Sequence, residues 1–159
     1  MTDRQPDVVD WNIEPTVEAL NAVSTGTIHD RMGIVFTEVS PQRVVATMPV
    51  EGNTQPYGLL HGGASVVLAE SVGSMLAVVV AGPGKATVGV DINATHHRPA
   101  RSGLVTAVAT PLAVGRTTGS FEIVVSDDRG RRICTCRLTA QVRDAPPGRR
   151  YDAPPGPSS

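Results

Sequence analysis

The chain has 159 residues, 40% apolar and 18% charged, which leaves room for one domain with its own core and excludes the low-hydrophobicity, high-charge class of disordered chains. With 14 basic against 15 acidic side chains the net charge is -1, so no global field draws the protein to nucleic acid or to an anionic membrane. The only cysteines, Cys134 and Cys136, read as small buried apolar residues rather than a disulfide framework, and point to a reducing, cytoplasmic setting.

Residues 1–13 carry charged groups and no apolar run, and read as a mobile lead-in rather than a signal peptide. Pro15 and the residues after it predict a short helix ending before Gly26. Segments 33–40 and 43–50 are rich in Val, Thr and Ile and are broken by Pro41, which predicts two strands in a hairpin. Segment 51–58 collects Gly, Asn, Thr, Pro and Tyr, as a loop does. The apolar stretch 64–81 shows no alternation and is too long for one strand, and Gly82-Pro83-Gly84 stops it. Its apolar residues cover the whole circumference, so a helix buried all round is expected. Glu70 and three serines within it argue against a membrane span.

Four strands follow, 85–96, 104–112, 118–126 and 132–142, read as an antiparallel meander. Phe121, Ile123 and Val125 share one face, and Cys134, Cys136, Leu138, Ala140 and Val142 oppose Thr135, Arg137, Thr139 and Gln141. Residues 144–159 hold five prolines and two glycines and read as a disordered tail. The fold class is therefore α+β, a single domain over 14–143 in which a curved antiparallel sheet wraps one long helix of about 61–81.

Within that helix Glu70 has Val66, Val67, Gly73 and Ser74 as neighbours and no basic residue among them. Such a carboxylate is desolvated, paired across a subunit boundary or used chemically, unless it faces solvent as most helical glutamates do. His61-Gly62-Gly63 marks the helix start, where bare amides at the positive end of the dipole suit an oxyanion; close packing is the alternative use of two glycines. Gly62 and Glu70 are eight residues apart, hence about 12 Å along one helix, so one carbonyl cannot touch both. If both act, a second helix runs antiparallel beside the first, and a two-fold dimer holds two composite sites.

The run from Gln55 through His61-Gly62-Gly63 to Glu70-Ser71 closely resembles the active-site segment of hotdog-fold thioesterases. It is similar to the branch that holds the Arthrobacter-type 4-hydroxybenzoyl-CoA thioesterase and relatives acting on dihydroxynaphthoyl-CoA, phenylacetyl-CoA-like and aryl-carrier-protein thioesters. The likeness covers roughly 15–142. It implies an acyl-CoA thioesterase for aryl or medium-chain acyl groups, with Glu70 as nucleophile or general base and the Gly62 amide polarising the thioester carbonyl. Gln55 and His61 would orient the thioester and Ser74, one turn after Glu70, would hold the attacking water. Gly63, His96, Arg98, Arg101 and Arg116 are the residues expected at the substrate and coenzyme A, whose phosphates call for cations. The resemblance also implies a homo-oligomer with shared sites, a tetramer built as a dimer of dimers, with no cofactor beyond the coenzyme A of the substrate.

No metal site is expected: His96 and His97 fall on opposite strand faces and the cysteines lack a nearby partner histidine. No Gly-x-Ser-x-Gly elbow occurs. Two other readings remain for this fold, a non-catalytic acyl-CoA-binding protein and an enoyl-CoA hydratase or dehydratase. The latter relies on an Asp/His pair, and no aspartate lies near His61.

Overall fold

The computed structural model describes residues 15–145. The expected lead-in and nearly all of the expected tail lie outside the described residues. Two short helices, α1 (Val17–Val23) and α2 (Ile28–Met32), precede strands β1 (Val35–Val39) and β2 (Val44–Pro49). Helix α3 (Gly62–Ala81) and strands β3 (Lys85–His96), β4 (Leu104–Val114), β5 (Thr118–Ser126) and β6 (Arg132–Asp144) follow. Thr16, not Pro15, begins α1: its hydroxyl accepts from the Ala19 N–H. Helix α2 had no counterpart in the sequence reading; Thr27 caps it, and Gly33 ends it in the left-handed conformation at φ 67°.

All six strands form one antiparallel sheet in the order β1-β2-β4-β5-β6-β3. The expected four-stranded meander is thus corrected to three strands. After α3 the chain enters β3 at the far edge, where it pairs with β6, and then crosses back so that β4 lies beside β2. Helix α3 fills the inner face, the hotdog arrangement. Leu68, Ala69, Val72 and Leu76 face the sheet, against Phe36, Met48, Phe121, Ile123 and Leu138. The helix lies close because Ala46, Ala107 and Ala109, at the centre of the sheet, offer no bulk beneath it. At Gly73 an added Cβ would fall 2.8 Å from Leu138 Cδ2 and 3.2 Å from Ile123 Cδ1. Gly73→Ala should therefore lower stability by about 1 kcal/mol, since overpacking costs about 1–3 kcal/mol and helix propensity returns about 1. Urea denaturation checks this, and an unchanged or raised midpoint would contradict the packing.

The helix is not buried all round. Gly63 and Glu70 are exposed, and Val66, Val67, Ser74 and Val78 are half-buried, which makes one continuous open stripe. Although α3 is long and apolar enough to cross a bilayer, 56% of its most apolar window is buried against the sheet.

The two sheet edges differ. On β1, the Asn21 side chain of α1 accepts from the Phe36 N–H and donates to the Phe36 carbonyl, both at 2.9 Å, and so occupies groups that a neighbouring strand would use. On β3, Val88 and Val90 are 50% and 65% exposed, and no strand among the described residues pairs with this edge.

Below α1, the Ser24 hydroxyl donates to the Leu20 carbonyl at 2.8 Å and meets His29 Nδ1 at 3.0 Å, while the imidazole packs edge-on to Phe36. Burial lowers the His29 pKa below its ordinary 6.5. The unfolded chain then binds this proton more readily than the folded one. Stability contributed by neutral His29 is full above pH 6.5 and is lost as pH falls toward the folded-state value. The pH dependence of the denaturation midpoint between 7.5 and 5 should flatten in His29→Gln relative to the parent; identical slopes would rule His29 out as its source.

Candidate active site

Loop 51–60 carries the chain from β2 to the start of α3 and is pinned at both ends. The Asn53 side chain donates to the carbonyls of Met32 and Pro49 at 2.9 Å, and the Leu60 N–H donates to the Ala100 carbonyl at 2.8 Å. The first amides of α3 then divide three ways. The His61 N–H donates to the Asn53 carbonyl at 2.9 Å, and the Gly63 N–H donates to His61 Nδ1 at 2.9 Å, which makes His61 the N-cap. The Gly62 N–H, between them, has no acceptor among the described residues. A free donor at the positive end of a 20-residue helix is what a developing oxyanion needs.

Both glycines are explained by rings that approach them. A Cβ on Gly63 would stand 3.0 Å from His61 Nδ1, and one on Gly62 would stand 3.0 Å from His96 Nε2. His96, at the end of β3, therefore lies over Gly62. With Leu59, Leu60, Ser65 and Arg98 they line a hollow of about 340 Å³ at the helix start. His97 also borders the hollow, with its Nε2 2.8 Å from Thr135 Oγ1.

Glu70 lies two turns further along, on the open stripe, and forms no ion pair or hydrogen bond among the described residues. Of the alternatives the sequence left open, desolvation within one chain does not hold: Glu70 is exposed among the described residues. Its Oε1 would be 3.7 Å from a Cβ added at Gly89 on β3. The ladder shifts there: Gly89 pairs with Ala140 and Asp91 with Thr139, so Val90 is the extra residue of a bulge. The sequence reads 85–96 as an unbroken strand, and the only local signal for the bulge is a glycine inside a strand pattern.

Ser74 is half-buried, on the face of Glu70, and keeps its hydroxyl free of protein partners among the described residues. Ser71 is spent on the Val67 carbonyl at 2.7 Å. Gln55 is half-buried, with Oε1 accepting from the Tyr57 N–H at 2.9 Å, so only its amide NH2 is left to donate outward. Arg98 donates from Nη1 to the Arg132 carbonyl at 2.9 Å, and Arg101 is exposed beside it in sequence and space. Arg116 does not join them. It sits in the β4–β5 turn, the whole eleven-residue length of β4, about 33 Å, away from Arg101, so the three arginines do not form one site within a chain.

Residues 57–134 match the sequence model of the Thioesterase superfamily. A proofreading thioesterase, EntH, of Klebsiella pneumoniae is 49% identical over 133 residues, covering 83% of this chain and 97% of that protein. The chain belongs to the thioesterase superfamily. EntH of Cronobacter sakazakii is 47% identical over the same coverage. Among solved structures, a thioesterase of Haemophilus influenzae superposes with a TM-score of 0.80 at 39% identity, covering 86% of this chain and 96% of that one. A thioesterase of Pseudomonas aeruginosa, solved as a Gln-to-Ala variant, has a TM-score of 0.80 at 43% identity, covering 86% and 99%. As a superfamily member this protein is a thioester hydrolase.

Proposed function

We propose that the protein hydrolyses an aryl- or medium-chain-acyl-CoA thioester to the free acid and coenzyme A, at two composite sites of a two-fold dimer. The observation that carries this reading is the free Gly62 amide at the start of the helix whose open stripe carries Glu70, unpaired among the described residues. In one chain the two are about 12 Å apart, too far to share a carbonyl. An antiparallel partner helix would bring the Glu70 of one protomer to the Gly62 of the other. The uncovered β3 edge and its exposed valines supply the surface for that partner, and burying the stripe would desolvate Glu70 as the chemistry requires.

In this arrangement the Gly62 N–H donates to the thioester oxygen as it gains charge. Glu70 either attacks the carbonyl carbon, giving a mixed anhydride that water then cleaves to the acid and the free carboxylate, or removes a proton from water held by Ser74, which attacks instead; in both routes the carbon–sulfur bond breaks and the leaving thiolate takes up a proton. The His61 Nε2–H and the Gln55 amide NH2 are the donors left to orient the thioester, because Nδ1 and Oε1 are already engaged. We extend to this chain the proofreading role named for its relatives, which predicts tolerance of many acyl groups. A thiol-release assay over benzoyl, hydroxybenzoyl, hexanoyl and decanoyl thioesters tests both points. Activity on none of them, or loss of the enoyl absorbance of crotonyl-CoA without thiol release, would overturn the proposal.

A further inference from the structure

The wall of the hollow at Gly62 contains one hydroxyl that the fold does not use. Ser65 is 3% exposed and lines the hollow, yet its side chain makes no hydrogen bond among the described residues. The other buried serines turn back to the carbonyl four residues earlier: Ser71 donates to Val67 at 2.7 Å and Ser24 to Leu20 at 2.8 Å. Ser65 cannot do the same. The carbonyl in question, that of His61, already accepts from the Ala64 N–H at 2.9 Å and from the Ser65 N–H at 3.3 Å, which fills its two lone pairs. No sealed side-chain oxygen or nitrogen among the described residues lacks a partner, so the Ser65 oxygen opens into the hollow that it lines.

Its position relative to the free amide follows from helix geometry. Helical side chains lean toward the N-terminus, so Ser65 overhangs the turn that begins at Gly62, three residues earlier. Positions so related lie about 5–6 Å apart. The two surfaces that flank Gly62 differ in character. Along the open stripe Val66, Val67 and Val78 are half-buried and offer hydrocarbon. The hollow instead combines Leu60, Ala100 and Ile133 with the Ser65 hydroxyl and the His96 imidazole, apolar walls with a few polar groups that can fix a ligand's orientation.

We propose that the Ser65 hydroxyl hydrogen-bonds the first amide of the substrate's thiol arm, which makes Ser65 a specificity-determining residue for the leaving group. The proposal rests on the reading of Gly62 as the carbonyl donor and deepens it. A thioester carbonyl held at Gly62 sends its acyl group along the valine stripe and its thiol arm into the hollow. In thioesters of coenzyme A or of a carrier protein the sulfur and two methylenes separate the carbonyl carbon from the first amide nitrogen, a span of about 5 Å when extended. That span matches the step from Gly62 to Ser65. A hydroxyl donates and accepts, so it can meet the amide at its N–H or at its oxygen. The thiol arm is also the part of the substrate that stays constant while the acyl group varies, so one contact there serves many thioesters.

The test uses thioesters of N-acetylcysteamine, which carries this amide, and of pentanethiol, which has methylenes in its place, each with benzoyl and with hydroxybenzoyl as the acyl group. Ser65→Ala should melt as the parent does, because the hydroxyl has no partner among the described residues. Its kcat/KM should fall by about tenfold on the N-acetylcysteamine thioesters, mostly through KM, and stay within about twofold of the parent on the pentanethiol thioesters. The same fall with both acyl groups would support the thiol arm as the ligand. An equal loss on both thiols would overturn the proposal and assign the hydroxyl to the thioester carbonyl. No loss on either would also overturn it, as would a loss set by the ring hydroxyl rather than by the thiol, which would give the hollow to the acyl group. Glu70→Ala run in parallel should slow all of these thioesters; if it slows none, the catalytic reading has failed rather than the Ser65 contact.

Discussion

Glu70→Ala should slow thiol release by about a hundredfold or more while the protein still folds and associates, since a positioned carboxylate acting as base contributes about 10²–10⁴-fold. The side chain is exposed in the single chain and makes no contact that holds the fold together, so its loss leaves the core untouched. With Glu70 acting on the reacting carbon as proposed, the fall should appear in kcat and kcat/KM together. Turnover within a few-fold of the parent, in a variant with an unaltered melting curve, would remove Glu70 from the mechanism.

Removal of the Gly62 donor should have an effect of similar size, about a hundred- to a thousandfold in kcat, equivalent to about 2.7–4 kcal/mol. Gly62→Pro does this with little disturbance. Position 62 is the first residue of α3, where proline is well accepted, and His61 already has the extended backbone, φ -67° and ψ 132°, that a residue before proline adopts. Proline also adds a Cβ near His96, so Gly62→Ala, which keeps the N–H and makes the same contact, is the control and should lose far less. Refolding Glu70→Ala and Gly62→Pro chains together then tests whether the site is shared. Random dimers should recover about one quarter of the parent activity, because half are mixed and each mixed dimer restores one of two sites. No recovery on mixing would mean that both groups serve from one chain, and the composite site would be wrong.

Much of this protein was legible in residue order, and the limits of that reading have physical causes. Helix α3, the alternating faces of β5 and β6 and the buried cysteines follow from periodicity and apolar content, which act over a few residues. The pair Gly62 and Glu70 stood out because glycine at a helix start and a lone carboxylate on an apolar helix are each costly without a use. What failed was non-local. A strand pattern shows which face is buried but not which strand lies alongside, so β3 was assigned beside β4 when it pairs with β6. Circumferential apolarity suggested burial on all sides, and only the packed sheet shows that a stripe of the helix stays open among the described residues. Arg116 looked equivalent to Arg98 and Arg101 because strand ends are alike in sequence, whereas strand direction puts it at the opposite end of the sheet.

The sequence by itself determined the elements other than α2, the α+β class and the two groups proposed for the chemistry, since local propensity and side-chain character reside in the residues themselves. Tertiary structure alone decided that the Gly62 N–H is the amide left free, that a bulge lies opposite Glu70, and that the arginines of two separate connections meet in one cleft. Each of those depends on which distant segments come together, and contact between remote parts of a chain is settled by how the whole sheet closes around its helix.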